Sequence, residues 1–184
     1  MERILKNTIV LVFCLFTVGC NQKTQPSGFQ EFPFDLMVNI NDLTNQFKFW
    51  GNDFPEIEGA FSYDVSYQNR SEKPGAFFSH RVVIYPSSDI AREAFPTWEQ
   101  DMPLDHWSIP DDLDFKPQSE EDSYRLVCTD VTFDSIPMTT CEFLQLHKNI
   151  VIRVLTNIYN DNITFSTFEE VLQKLDERLP DYEI

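Results

Sequence analysis

Cysteine, histidine and clustered carboxylates are the side chains of this sequence that could do chemistry, and they fall in three regions. In the C-terminal half, Cys128 and Cys141 are equidistant from the junction between Asp134 and Ser135. If the flanking segments, 124–132 and 140–146, pair as antiparallel strands about that junction, the two sulfurs face each other and can bridge. A redox or metal pair would instead call for a CxxC spacing or a neighbouring His-Cys cluster, and neither accompanies them. In the middle of the chain, His106 and Trp107 are followed by Asp111, Asp112 and Asp114. Carboxylates beside an imidazole could hold a metal ion or orient a base. The three aspartates could offer oxygen ligands to a cation, although the glycine and the distal glutamate of an EF-hand loop are missing. The plainer reading is an exposed acidic loop with Trp107 as its anchor. At the N-terminus stand Cys14 and Cys20, within and just after an apolar run.

The remaining histidines offer less. His80 alternates within a strand-like segment, packed or at the surface, and His147 falls in a turn where solvent is expected to reach it. No GxSxG elbow, phosphate-binding loop, HExxH or dinucleotide fingerprint occurs, and no residue pattern calls for a cofactor. Aromatic content is high, with 17 Phe, 6 Tyr and 3 Trp. Most of these rings must fill the core. Phe47, Phe49, Trp50, Phe54, Trp98 and Trp107 lie in or beside irregular stretches, where a cleft between a sheet and a crossover could take a ligand.

The N-terminal region has an order of its own: Arg3 and Lys6, the apolar run 9–16, then Thr17-Val18-Gly19-Cys20. Charge, a greasy segment too short to span a bilayer, and a small residue describe an export signal. The tetrapeptide ending in Cys20 resembles the lipobox of bacterial lipoproteins, although Thr17 stands where an aliphatic residue is more usual. That resemblance implies cleavage before Cys20, lipidation of its sulfur and a location in the cell envelope, on the outer side of a membrane. Residues 20–33 then form a lipidated cysteine and a polar tether rich in Gln, Pro, Ser and Gly. Several acyl chains on one cysteine anchor stably, since each buried methylene contributes about 0.8 kcal/mol.

Removal of residues 1–19 takes one acid, Glu2, and two bases, Arg3 and Lys6, from a chain of formal charge −16 and leaves −17. Nucleic acid is an unsuitable partner for such a surface, because phosphates reward basic side chains. Anionic headgroups are repelled as well, so contact with the membrane is expected through the lipid on Cys20, with an envelope protein as a further partner. In an exported chain the two remaining cysteines, Cys128 and Cys141, suggest a disulfide.

Behind these residues the hydrophobic pattern predicts one α+β domain over 34–184. Residues 60–67 and 77–85 alternate as strands, and 35–42 is a short helical or irregular lead-in crossing the core. Ser87 to Asp89 offers a helix cap, followed by Ile90, Ala91, Ala94, Phe95 and Trp98 at helical spacing, with Pro96 expected to kink or end that helix. An irregular acidic crossover spans 99–121, pinned by Trp107, Ile109, Leu113 and Phe115. The cysteine hairpin follows, then a nearly continuous apolar strand at 150–158. A last amphipathic helix begins at a Ser166/Glu169 capping box, carries Phe168, Val171, Leu172, Leu175 and Leu179 on one stripe, and ends at Pro180. About five antiparallel strands with two helices on one face satisfy this order, which also fits two β-β-α units. The order is similar to that of PsbP-like and LpqN-like exported domains and of the extracellular sensor domain of some mycobacterial kinases. Together these features point to a lipid-anchored envelope domain that binds a partner or small ligand. Two alternatives stand beside it: a metal-dependent or hydrolytic enzyme built around His106 and the acidic crossover, and a structural accessory subunit.

Overall fold

The computed structural model describes residues 32–43, 46–69, 75–102, 108–120, 122–159 and 163–182. Six strands, β1 (Lys48–Asp53), β2 (Phe61–Asn69), β3 (Ala76–Ile84), β4 (Ser123–Phe133), β5 (Ile136–His147) and β6 (Ile150–Ile158), form one antiparallel sheet in the order β1-β2-β3-β6-β5-β4. Each half is a three-stranded meander followed by a helix, α1 (Ser88–Asp101) or α2 (Phe165–Arg178). The meanders meet through their last strands, β3 and β6, at the centre of the sheet.

The sixth strand is the addition to the expected five. Alternation fails around Phe49, Trp50 and Gly51, and the register of β1 against β2 shifts between Phe49 and Gly51. An extra residue at a bulge is enough to hide a strand from a period of two.

The two helices do not share a face, which corrects the expected arrangement. Along β3, Val82 and Ile84 pack in one cluster with Phe168, Val171, Leu172 and Leu175 of α2, whereas Val83 packs with Ala91 and Phe95 of α1. Ile150 and Ile152 of β6 likewise go to the α2 side and Val151 to the α1 side. Adjacent side chains of a strand point to opposite faces, so the near-continuous apolar runs of β3, β5 and β6 belong to strands covered twice.

Helix α1 starts at Ser87, whose hydroxyl accepts from the Ile90 amide at 3.3 Å. It runs through Pro96 to Asp101 instead of stopping there. Proline removes only the bond to the Arg92 carbonyl, and Arg92 and Pro96 both lie on the solvent side. The buried Phe95 and partly buried Trp98 hold the segment to the sheet on either side of the gap. The cap of α2 is also displaced from the expected one: Thr164 accepts from the Thr167 amide at 3.1 Å, and Ser166 lies inside the helix. As expected, the α-helix gives out beside Pro180, passing into a 3-10 turn at Leu179–Asp181.

The cysteine hairpin has the expected register, with Cys128 opposite Cys141 and a bond of 2.04 Å between their sulfurs. Its turn is the pair Asp134 and Ser135, with φ of 50° and 69°, as a tight right-twisting hairpin requires. Both sulfur-bearing residues are buried on the α2 side. The crossover returns there, Ser108 exchanging two 2.9 Å backbone bonds with Cys128. Leu113 and Phe115 are buried as anchors, but Ile109 is exposed. The lead-in consists of two 3-10 turns, Phe34–Leu36 and Ile40–Asp42, and buries Leu36, Met37 and Val38 under the sheet.

Candidate binding face of the sheet

Helix α1 covers one end of its face, over Val83, Tyr85, Leu144, Leu146 and Val151. Beyond it the same face becomes polar. Arg81 and Arg153 sit directly opposite each other on the two central strands. Like charges in that register repel, and each is neutralised by a carboxylate on the face. Arg81 donates through two nitrogens to the two oxygens of Asp64, both at 2.6 Å. That hydrogen bond to Asp64 raises the guanidinium pKa further. Arg153 Nε donates to Glu142 Oε1 at 2.5 Å, and Glu142 is buried. The Arg81 guanidinium also lies 5.9 Å from the ring centre of Trp98, whose Nε1 donates to the Tyr85 hydroxyl at 2.9 Å. Trp98 is therefore a packing residue beneath α1 that braces Arg81.

Towards the far end of the strands the face carries Ser66 opposite Ser79, Gln68 opposite Phe77, and Thr140 opposite Asn157. The tip of the β4–β5 hairpin stands beside them. Between floor and tip lies a cleft of about 570 Å³ lined by Gln68, Phe77, Val131, Met138, Thr140 and Asn157, among others. Thr140 donates to the Asn157 side-chain oxygen at 2.9 Å, which orders the floor. Amide and hydroxyl groups around a phenyl ring and a thioether can grip a small molecule with one hydrogen-bonding edge and one apolar face.

A second polar cluster lies on the α2 side. Asp122 meets His147 Nδ1 at 2.9 Å and accepts from Gln145 at 2.8 Å. Gln145 donates also to Asp176 of α2 at 2.9 Å, and Asp176 accepts from the Gln118 amide at 2.7 Å. His147 is buried at the end of β5, not solvated in a turn as expected, because the strand runs one residue further and Lys148 and Asn149 make the turn. A carboxylate-imidazole pair is half of a catalytic relay, but the buried His147 Nε2 meets no hydrogen-bond partner among the described residues. This network ties the end of the crossover to β5 and α2. His80 is packed rather than exposed, its Nδ1 accepting from the Val38 amide at 3.1 Å.

Of the residues singled out from sequence, Cys20, with the signal and most of the tether, lies outside the described residues, and so do His106 and Trp107. Asp111, Asp112 and Asp114 are exposed, and Asp114 meets Lys116 at 3.5 Å. Among the described residues no group of three or more His, Cys, Asp or Glu could hold a metal ion. Among the described residues of the expected aromatic cleft, Phe47 is core, while Phe49, Trp50 and Phe54 are exposed on and after β1, at the sheet edge opposite β4. The arginine pair and the cleft floor went unrecognised in the sequence. Their signal was Arg81 and Arg153, each a charge inside an otherwise apolar strand run.

No protein-family model matches this chain, and no curated protein matches it. Among solved structures it is similar to the extracellular domain of PknH from Mycobacterium tuberculosis, with a TM-score of 0.47 and 11% sequence identity over 80% of this chain and 94% of that one.

Proposed function

We propose that the protein is a lipoprotein of the bacterial cell envelope, anchored through Cys20, whose α+β domain binds a small, uncharged, polar ligand in the cleft beside the β4–β5 hairpin. The observation that carries this reading is the half of the α1 face that is left uncovered among the described residues. Its groups hydrogen-bond but do not react: Arg81 and Arg153 on the same face are already compensated by Asp64 and Glu142, and the charge in the cleft lining is Asp134 at the hairpin turn. A phenyl ring beside amides and a hydroxyl suits a sugar-like molecule, which offers an apolar face and a rim of hydroxyls.

The test is a titration of the whole chain with mono- and oligosaccharides, followed by NMR. Shifts gathered at Gln68, Phe77, Thr140 and Asn157, and abolished by Asn157→Leu, are the expected result. A panel that moves none of these resonances removes the ligand reading and leaves the structural accessory. Shifts at His106, Asp111, Asp112 and Asp114 on adding a divalent cation would instead favour the metal-dependent enzyme.

A further inference from the structure

The sheet has two edges, and they are treated differently. Along β4 the crossover adds a bridge at Ser108. At the β1 edge, large aromatic side chains face outward: Phe34 is 56% exposed, Phe49 57%, Trp50 56% and Phe54 41%. Beneath three of them lies an inner layer of rings. Phe34 and Phe54 both pack on Tyr63, at 5.1 and 4.8 Å between ring centres, and Phe49 packs on Tyr67 at 6.3 Å. Since Tyr63 and Tyr67 stand on the same face of β2, Phe34, Phe54 and Phe49 form a row along the edge on the α2 side, and Trp50 follows Phe49 at the bulge. Asn52 breaks the row, its Nδ2 donating to the Tyr63 hydroxyl at 2.8 Å; exposed rings gathered on either side of it along one sheet edge mark a surface that meets something else.

We propose that this aromatic edge seats in the interfacial layer of the bilayer that carries the Cys20 anchor; the inference rests on the anchoring reading above. The chain itself supplies the argument for a bilayer over other occupants. The described chain begins at Phe32, whose ring packs on Phe34, Phe61 and Tyr63 at 5.1 to 5.4 Å, at the row itself. Cys20 lies twelve residues earlier, so even a fully extended connection keeps the row within about 40 Å of the lipidated sulfur. Holding a weak site that close makes its encounter intramolecular, equivalent to roughly millimolar concentration. Trp prefers the headgroup level of a membrane, and Phe on an interfacial face is buried at the boundary between headgroups and acyl chains. The mature charge of −17, the difference between 12 basic and 29 acidic side chains once residues 1–19 are gone, excludes attraction to anionic lipid. The seat is therefore made by rings, and it suits a zwitterionic surface.

The experiment uses the mature lipoprotein reconstituted in phosphatidylcholine vesicles, with and without bromine on the acyl chains. Trp98 and Trp107 also emit, so the Trp50 signal is taken as the difference between wild type and Trp50→Phe. Brominated lipid should lower that signal about twofold or more, and the vesicles should shield it from acrylamide. If Trp50 stays open to acrylamide and insensitive to bromine in a protein whose mass shows an acylated Cys20, the seat is overturned and the anchor stands. Shielding from acrylamide without quenching by bromine would mean that a second copy covers the edge, which also overturns the seat. A mature protein carrying no acyl chain on Cys20 would remove the anchor and the seat together.

Discussion

His80 shows how a single buried side chain makes the fold sensitive to pH. Its Nδ1 accepts from the Val38 amide, which places the proton of the neutral ring on Nε2, and that nitrogen is buried without a partner among the described residues. Burial lowers the pKa to about 3, with Arg178 adding to the effect and Asp42 opposing it. In the unfolded chain the value returns to about 6.5. Between these limits the unfolded state takes up a proton that the native state refuses. Stability is thus full above pH 6.5 and is lost as pH falls towards 3, at about 1.4 kcal/mol per pH unit. Glutamine can accept from Val38 without titrating. Urea unfolding at pH 7.5 and pH 4.5 should therefore show wild type losing about 2–3 kcal/mol more than His80→Gln; equal losses would show that His80 is not responsible. Part of this was legible in the sequence: His80 falls in an alternating strand, which allowed a packed or a surface position, and the structure packs it beside Phe78, Val82 and Ile84. His147 differs from its expected place because β5 outlasts its sequence signal by one residue and the turn falls at Lys148 and Asn149. The charge pairs of Arg81 and Arg153 could not be read from sequence, since their acids lie on neighbouring strands and are identified only by register.

Among the elements, the firmly marked ones had strong local signals: β6 with its apolar run, the hairpin with its symmetric cysteines, and the stripe of α2. Where tertiary packing outvoted a local rule, the sequence misled. Proline should break a helix interior at a cost of about 3 kcal/mol, yet α1 continues because Phe95 and Trp98 hold it on the sheet. Ser166 with Glu169 matches a capping box, but two residues earlier Thr164 makes the cap. Thr164→Ala should therefore cost about 1 kcal/mol in thermal or urea unfolding, whereas Ser166→Ala should change stability by less than about 0.5 kcal/mol. The reverse ranking would return the helix start to the position expected from sequence. β1 escaped notice because its bulge breaks the alternation, and the opposite placement of the helices escaped because two-sided burial of β3 and β6 reads the same whichever helix lies on which face.

At the scale of the whole molecule, the mirrored strand order suggests a duplicated β-β-β-α plan, and the placement of the helices breaks its symmetry. Among the described residues, α2 and the lead-in fill one side of the sheet, while α1 fills one end of the other. The unfilled half is the cleft proposed to bind ligand, and the aromatic edge beside Phe32 is the surface proposed to meet the bilayer. Both proposals take the domain to be held at a membrane by residue 20, which gives the anchor priority among the tests. The direct measurement is the intact mass of the protein recovered from its own membranes, beside a Cys20→Ser variant. We predict that residues 1–19 are absent, that Cys20 is N-terminal and acylated, and that the variant carries no acyl chain and leaves the membrane fraction. A wild-type protein that is exported with no acyl chain on Cys20, or cleaved at another position, would contradict the account.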